Sequence, residues 1–99
     1  MTRAQIWNAI LAERQRQAVK WNREHEWGYG DCSSASVPAA IKAVVLAEEC
    51  GEVARAVLDG SPGLRDELIQ VAAVAVAWLE SVGYTSESDG YTVSRKEPA

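Results

Sequence analysis

Residues 38–83 read PAAIKAVVLAEECGEVARAVLDGSPGLRDELIQVAAVAVAWLESVG, and the fold turns on this stretch. Pro38 suits the first position of a helix, where its missing N–H has no partner to lose. No breaker follows until about Asp59. Gly60-Ser61-Pro62-Gly63 then ends that helix and begins the next, with Ser61 as the expected N-cap and Pro62 as the first helical residue. The following helix is expected from about Pro62 to Val82, with Gly83 just past its end. After Gln70 it carries no polar residue until Glu80. A helix apolar all round must be covered on all sides. Three helices of this length cannot enclose one of their own number, so a homodimer or homotetramer is expected.

Upstream, Thr2 can cap a first helix that runs to about Trp21, with Ile6, Ile10 and Leu11 at helical spacing and Glu13 to Gln17 as a polar flank. From Asn22 to Val37 the periodicity breaks. Trp27-Gly28-Tyr29-Gly30-Asp31 and Ser33-Ser34 are turn chemistry. Long loops without structure of their own tend to be functional or disordered, and Trp21, Trp27 and Tyr29 argue against disorder. The expectation is an all-α fold, a small helical bundle completed by oligomerisation. It has one helical domain over residues 1–83 and a polar tail over 84–99, which has a candidate extended piece at Tyr91-Thr92-Val93.

Composition narrows the function. The chain has 99 residues, 10 Lys plus Arg and 14 Asp plus Glu, for a formal charge of −4. That balance argues against a nucleic-acid polymer as partner, since phosphate contacts need a basic face. Apolar residues make up 47% of the chain with no Phe, so the core must be Ala, Val, Leu and Ile with four Trp for bulk. Cys32 and Cys50 do not form a disulfide framework, and one histidine is too few for a His-rich metal centre. The longest apolar run, Val71 to Leu79, is far short of the roughly 20 residues that cross a bilayer. Met1 to Gln5 has no secretory apolar core. A cytoplasmic protein without membrane contact is expected.

The chemistry concentrates in Glu48-Glu49-Cys50-Gly51-Glu52 and Glu67-Leu68-Ile69-Gln70. Residues three and four apart share a helix face, so Glu48, Glu49 and Glu52 cluster on one helix and Glu67 and Gln70 on the next. An antiparallel hairpin brings the two sets together. Like charges at this spacing repel, and desolvating them without a cation is costly. Hard oxygen ligands select Mg²⁺, Mn²⁺ or Ca²⁺, and Mg²⁺ commonly completes its shell with substrate phosphates. A solvated face is the competing reading. Arg55, Glu48, Asp59, Glu52, Glu49 and Lys42 share one arc of the helix, opposite Leu46, Cys50, Val53, Ala54 and Val57. Ile41 and Val45 on the acidic arc, and Val74 and Trp78 in line with Glu67 and Gln70, suggest that the acids face protein.

These residues resemble the signature of the MazG-like all-α nucleoside triphosphate pyrophosphohydrolases, a superfamily with dimeric dUTPases and dCTP pyrophosphatases. The pattern is E-E-x-x-E, a spacer, then E-x-x-D. Glu48-Glu49-Cys50-Gly51-Glu52 supplies the first half and Glu67-Leu68-Ile69-Gln70 the second. The flanking Val45-Leu46-Ala47 and Val53-Ala54-Arg55-Ala56 are similar too, as are Glu13-Arg14-Gln15 and Lys20-Trp21 upstream. The likeness covers about Ile10 to Glu80. Gln70 departs from it, since the family usually has Asp there. An amide oxygen still coordinates Mg²⁺, but with one negative charge fewer.

The resemblance implies hydrolysis of a (d)NTP at its α-phosphorus to (d)NMP and pyrophosphate. Glu49, Glu52, Glu67 and Gln70 would hold Mg²⁺ (or Mn²⁺), and Glu48 would orient the water or bind a further ion. Lys20 is a candidate phosphate contact. Trp21 and Trp27 are candidates for stacking on the base or, equally, for packing the core or the subunit interface. A non-catalytic interaction module or a nucleotide sensor on the same fold is the rival, because of Gln70. His25 is expected at the surface, Cys50 packed on the apolar arc, and Cys32 without chemistry.

Overall fold

The computed structural model describes residues 1–82. It is mostly helical: α1 (Arg3–Lys20), a two-stranded hairpin of β1 (Glu24–His25) and β2 (Gly28–Tyr29), α2 (Ala39–Leu58) and α3 (Leu64–Ser81). The tail over 84–99, its candidate extended piece and Gly83 as a helix stop lie outside the described residues.

Helix α1 starts on a reciprocal cap. The Gln5 N–H donates to Thr2 Oγ1 at 3.1 Å and the Thr2 N–H donates to Gln5 Oε1 at 2.8 Å. Such a cap contributes about 1 kcal/mol. Lys20 in the last turn complements the negative end of the helix dipole.

The segment after α1 is more structured than its sequence suggests. β1 and β2 pair antiparallel, with His25 opposite Gly28. Strands this short are beyond any period-two signal, and they are held by contacts from elsewhere. Gly28 has φ +143°, and a Cβ there would lie 2.4 Å from the Ser36 carbonyl oxygen. Ser36 Oγ accepts from the Tyr29 N–H at 3.0 Å and donates to the Tyr29 carbonyl at 2.8 Å. Asp31 Oδ1 accepts from the Ser33 N–H at 2.9 Å. The serines therefore satisfy the backbone where no ladder does. Arg14 fixes this loop to the helices, donating to Asp31 at 2.9 Å and to Glu80 of α3 at 2.7 Å.

The α2–α3 hairpin forms as expected, with its caps shifted. Pro38 is the N-cap of α2 rather than its first residue, with an extended ψ of 149°. Helix α2 ends in a Schellman motif: the Ser61 N–H donates to the Ala56 carbonyl at 2.9 Å and the Gly60 N–H to the Val57 carbonyl at 3.2 Å. Gly60 at φ +63° supplies the left-handed residue this motif requires. The N-cap of α3 is Gly63 rather than Ser61, and Pro62 precedes the helix. Ser61 Oγ instead accepts from the Gly63 N–H at 3.0 Å, closing the turn ahead of the helix.

Helix α3 is central and packs against both α1 and α2, which stay apart from each other. Ala73 and Ala77, both 0% exposed, let the flanking helices approach closely. Ile10, Val37, Ala56 and Val74 complete the small core. The buried Lys42 donates from Nζ to Ser81 Oγ at 2.6 Å, tying the start of α2 to the end of α3.

Two readings of α2 are corrected. Its inward stripe is Lys42, Val45, Leu46, Glu49, Val53 and Ala56, which runs along one border between the acidic and apolar arcs. Cys50, expected to pack, is exposed, and Val57 is 60% and Leu58 85% exposed. On α3, Leu68 and Leu79 are exposed as well. No helix of the described residues is long and apolar enough to cross a membrane.

Candidate functional site

The divergence of α1 from α2 opens a cleft of about 410 Å³, floored by Gln70 and Val74 of α3. One wall is the row Glu13, Arg16, Gln17 and Lys20 of α1; the other is Ile41, Val45, Glu48 and Glu49 of α2. Trp21, His25 and Trp27 line it from the hairpin side, with Asp31 and Cys32. The α1 wall carries Arg16 and Lys20 beside the Glu13 carboxylate, and the α2 wall carries Glu48 and Glu49.

Glu49 is half-buried, and its Oε1 is fully buried without a hydrogen-bond partner. Burial, then the charges of Glu67, Glu52 and Glu48, push its carboxyl above the usual glutamate range, with Lys20 opposing. An uncompensated carboxylate amid three others binds protons or cations more readily than one in water.

Of the residues singled out from sequence, Glu48, Glu49, Gln70, Lys20, Trp21 and Trp27 all line this cleft. Glu52 and Glu67 do not line it, although their charges are felt at Glu49. Among the described residues no three or more His, Cys, Asp or Glu are gathered closely enough to hold a metal ion. The donor set suits a hard divalent cation in kind, and Glu49 Oε1 lacks a partner, but the carboxylates are not preassembled around one point. Glu48 and Glu52 are exposed, and Glu67 is half-buried.

Histidine 25 departs from expectation. It is only 9% exposed, stacked on Trp27 at 5.2 Å with the rings 2° apart and tilted against Trp21 at 5.3 Å. Its Nε2 lies 3.3 Å from the Trp21 carbonyl, which can only accept, so Nε2 carries the proton. Trp21 and Trp27 thus hold the hairpin over the cleft while lining it. Lys20 and Arg23 lie over the Trp21 ring at 5.2 and 5.5 Å. Cys32 sits in the cleft wall, where burial and then the Asp31 carboxylate push its thiol up and away from the reactive thiolate.

Sequence reasoning missed Glu13, Arg16 and Gln17. Glu13 is 7% exposed and ion-paired with Arg16, and Gln17 Nε2 reaches it at 3.5 Å. The signal was present: positions 13, 16, 17 and 20 share one helix face. The Arg14–Asp31 pair was not legible, since it joins a helix to an irregular loop. Burial would push Asp31 up, but hydrogen bonds from Ser33 and the Arg14 guanidinium outweigh it and hold the carboxyl below the usual range.

Comparison of the chain with family models, with curated proteins and with solved structures finds no match.

Proposed function

We propose that the chain is a MazG-like nucleoside triphosphate pyrophosphohydrolase that uses Mg²⁺, with Mn²⁺ as a substitute. The observation carrying this reading is Glu49: a carboxylate with an unpartnered buried oxygen, in a cleft whose opposite wall carries Arg16 and Lys20. The cleft volume lies in the range of small-molecule sites. Glu49, Glu52, Glu67 and the Gln70 amide oxygen are the residues that would hold the ion. When bound, Mg²⁺ would neutralise charge on the phosphates and make water more acidic. Glu48 orients the attacking water and accepts its proton. The water oxygen bonds to the α-phosphorus, the bond from that phosphorus to the α,β-bridging oxygen breaks, and pyrophosphate leaves. Lys20 meets the phosphates, and Trp21 and Trp27 border the nucleoside.

A homodimer or homotetramer belongs to this reading, because Val57 and Leu58 of α2 and Leu68 and Leu79 of α3 present apolar surface that a second copy would cover. So does a cytoplasmic location, with which the free Cys32 and Cys50 agree. Nucleotide binding without turnover is the second reading, favoured by Gln70 and by carboxylates that are not preassembled.

The test is pyrophosphate release from a panel of NTPs and dNTPs with Mg²⁺ or Mn²⁺. Turnover lost in Glu52→Ala supports the enzyme. Binding without turnover, restored to turnover by Gln70→Asp, supports the sensor. If neither nucleotides nor divalent ions raise the melting temperature, a helical interaction module remains.

A further inference from the structure

Arg16 is not part of any reading made from the acidic motif, yet it lies on the cleft wall opposite that motif. Its guanidinium pairs with Glu13, a carboxylate more than nine-tenths buried in the same wall. The pair places the guanidinium beside Glu13 at the edge of the cleft. The Arg16 side chain is still 67% exposed, so most of its five N–H donors are free for a second anion. One turn on, Lys20 adds a second cation to the same wall, and its charge already reaches Glu49. Across the cleft the anionic wall ends in the unpartnered Glu49 Oε1.

A cleft with Lys20 and the Glu13-paired Arg16 on one side and the Glu48 and Glu49 carboxylates on the other matches a polyphosphate carrying a divalent ion. The ion faces the acids, and the remaining phosphate oxygens face the cations. We propose that Arg16, with Lys20 beside it, binds the polyphosphate of the substrate, and that the α1 wall holds inorganic pyrophosphate with Mg²⁺ even when no nucleoside is present. This rests on the pyrophosphohydrolase reading and adds to it the residue that grips the phosphates and a product that binds on its own. Arginine suits the role because its planar fork meets two phosphate oxygens at once.

The experiment is isothermal titration of the full chain with pyrophosphate in excess Mg²⁺, repeated with Arg16→Ala, Arg16→Lys and, as a surface control, Arg65→Ala. Arg16→Ala also removes the ion-pair partner of the buried Glu13, so circular dichroism and melting check its fold, and Arg16→Lys keeps a cation beside Glu13. Wild type binds, Arg65→Ala binds equally, Arg16→Ala binds at least tenfold more weakly, and Arg16→Lys falls between. In steady-state turnover Arg16→Ala raises KM for the nucleotide by a similar factor. Wild-type binding undiminished in Arg16→Ala overturns the role of Arg16 and leaves the pyrophosphohydrolase reading standing. A wild type that binds neither Mg²⁺-pyrophosphate nor any nucleotide overturns both.

Discussion

Glu49→Gln is expected to stabilise the free protein. In most half-buried positions, replacing a native side chain costs stability. Here the native carboxylate is a liability. Its Oε1 is buried without a donor, and burial, Glu67, Glu52 and Glu48 all disfavour its charge. Only Glu52 stands at helical spacing, at a few tenths of a kcal/mol; burial and the charges of Glu67 and Glu48 add to it, so the relief is about 1 kcal/mol. For a domain of this size that is about 4–8 °C in Tm. The sign with pH follows from the raised carboxyl. Above its folded-state pKa, Glu49 is charged in both native and unfolded chains and the penalty is complete. As pH falls through that pKa, the native state takes up the proton first and the penalty shrinks, vanishing below the ordinary glutamate range of about 4.3. The advantage of Glu49→Gln is therefore largest near pH 7.5 and fades toward pH 4. Differential scanning calorimetry at fixed protein concentration, without divalent ions, measures both. Adding Mg²⁺ should then stabilise wild type by about 2.7 kcal/mol at a hundredfold excess over Kd, with a matching rise in Tm, and stabilise Glu49→Gln far less. A variant no more stable than wild type at pH 7.5, or an advantage flat across pH, would refute the claim that this carboxylate is held in an unfavourable charge environment.

Four further outcomes follow from packing and loop geometry. Gly28→Ala should lower stability by about 1–3 kcal/mol in urea denaturation, because φ +143° is strained for an L side chain and the added Cβ meets the Ser36 carbonyl. Ala77→Leu should cost about 1–3 kcal/mol by the same measurement, since Ala77 has no exposed surface and α3 is packed on both sides. Arg14→Ala should cost about 1–3 kcal/mol at neutral pH by leaving Asp31 Oδ2 without its donor, while Ser33 still holds Oδ1. Asp31 is held below its ordinary range, so its contribution is present above that range and is lost as pH falls through its folded pKa. Asp31→Asn should accordingly flatten the acid limb of the Tm–pH curve below about pH 4.

The α2–α3 hairpin was legible because its turn is written in local chemistry. Gly60 is the one residue there that accepts the left-handed backbone without strain, and the Schellman bonds fall around it. The capping box of α1 was equally local, read from Thr2. What failed were features decided by contacts between distant positions. Pattern alone offers two arcs on α2, one acidic and one apolar, and the more apolar arc would ordinarily face the neighbour. The structure instead turns the border stripe inward, which buries Lys42 against Ser81 and half-buries Glu49. His25 looked solvated between Glu24 and Glu26, but the neighbours that bury it are rings at positions 21 and 27, brought there by the hairpin. The hairpin itself depends on serine side chains reaching back to Tyr29.

The orientation of α2 bears on the choice between a solvated acidic face and a binding site. A solvated face would leave Glu49 in water and place Cys50, Val57 and Leu58 against α3, gaining apolar burial at about 25 cal/mol per Å². The chain does the reverse: it half-buries a carboxylate and exposes the apolar residues. In a domain whose core is six small or medium side chains, that arrangement weakens an already modest fold. Association would remove both halves of the cost. A cation in the cleft would compensate Glu49, and a second copy against the outer faces of α2 and α3 would cover Val57, Leu58, Leu68 and Leu79. The two are separable. If apolar cover alone were at work, Leu58→Lys would dissociate the assembly while Mg²⁺ had no effect on the melting of either form. A site that binds a cation predicts instead that the dissociated Leu58→Lys chain still gains Tm on adding Mg²⁺, and that Glu49→Gln suppresses this gain without changing the oligomer seen by sedimentation.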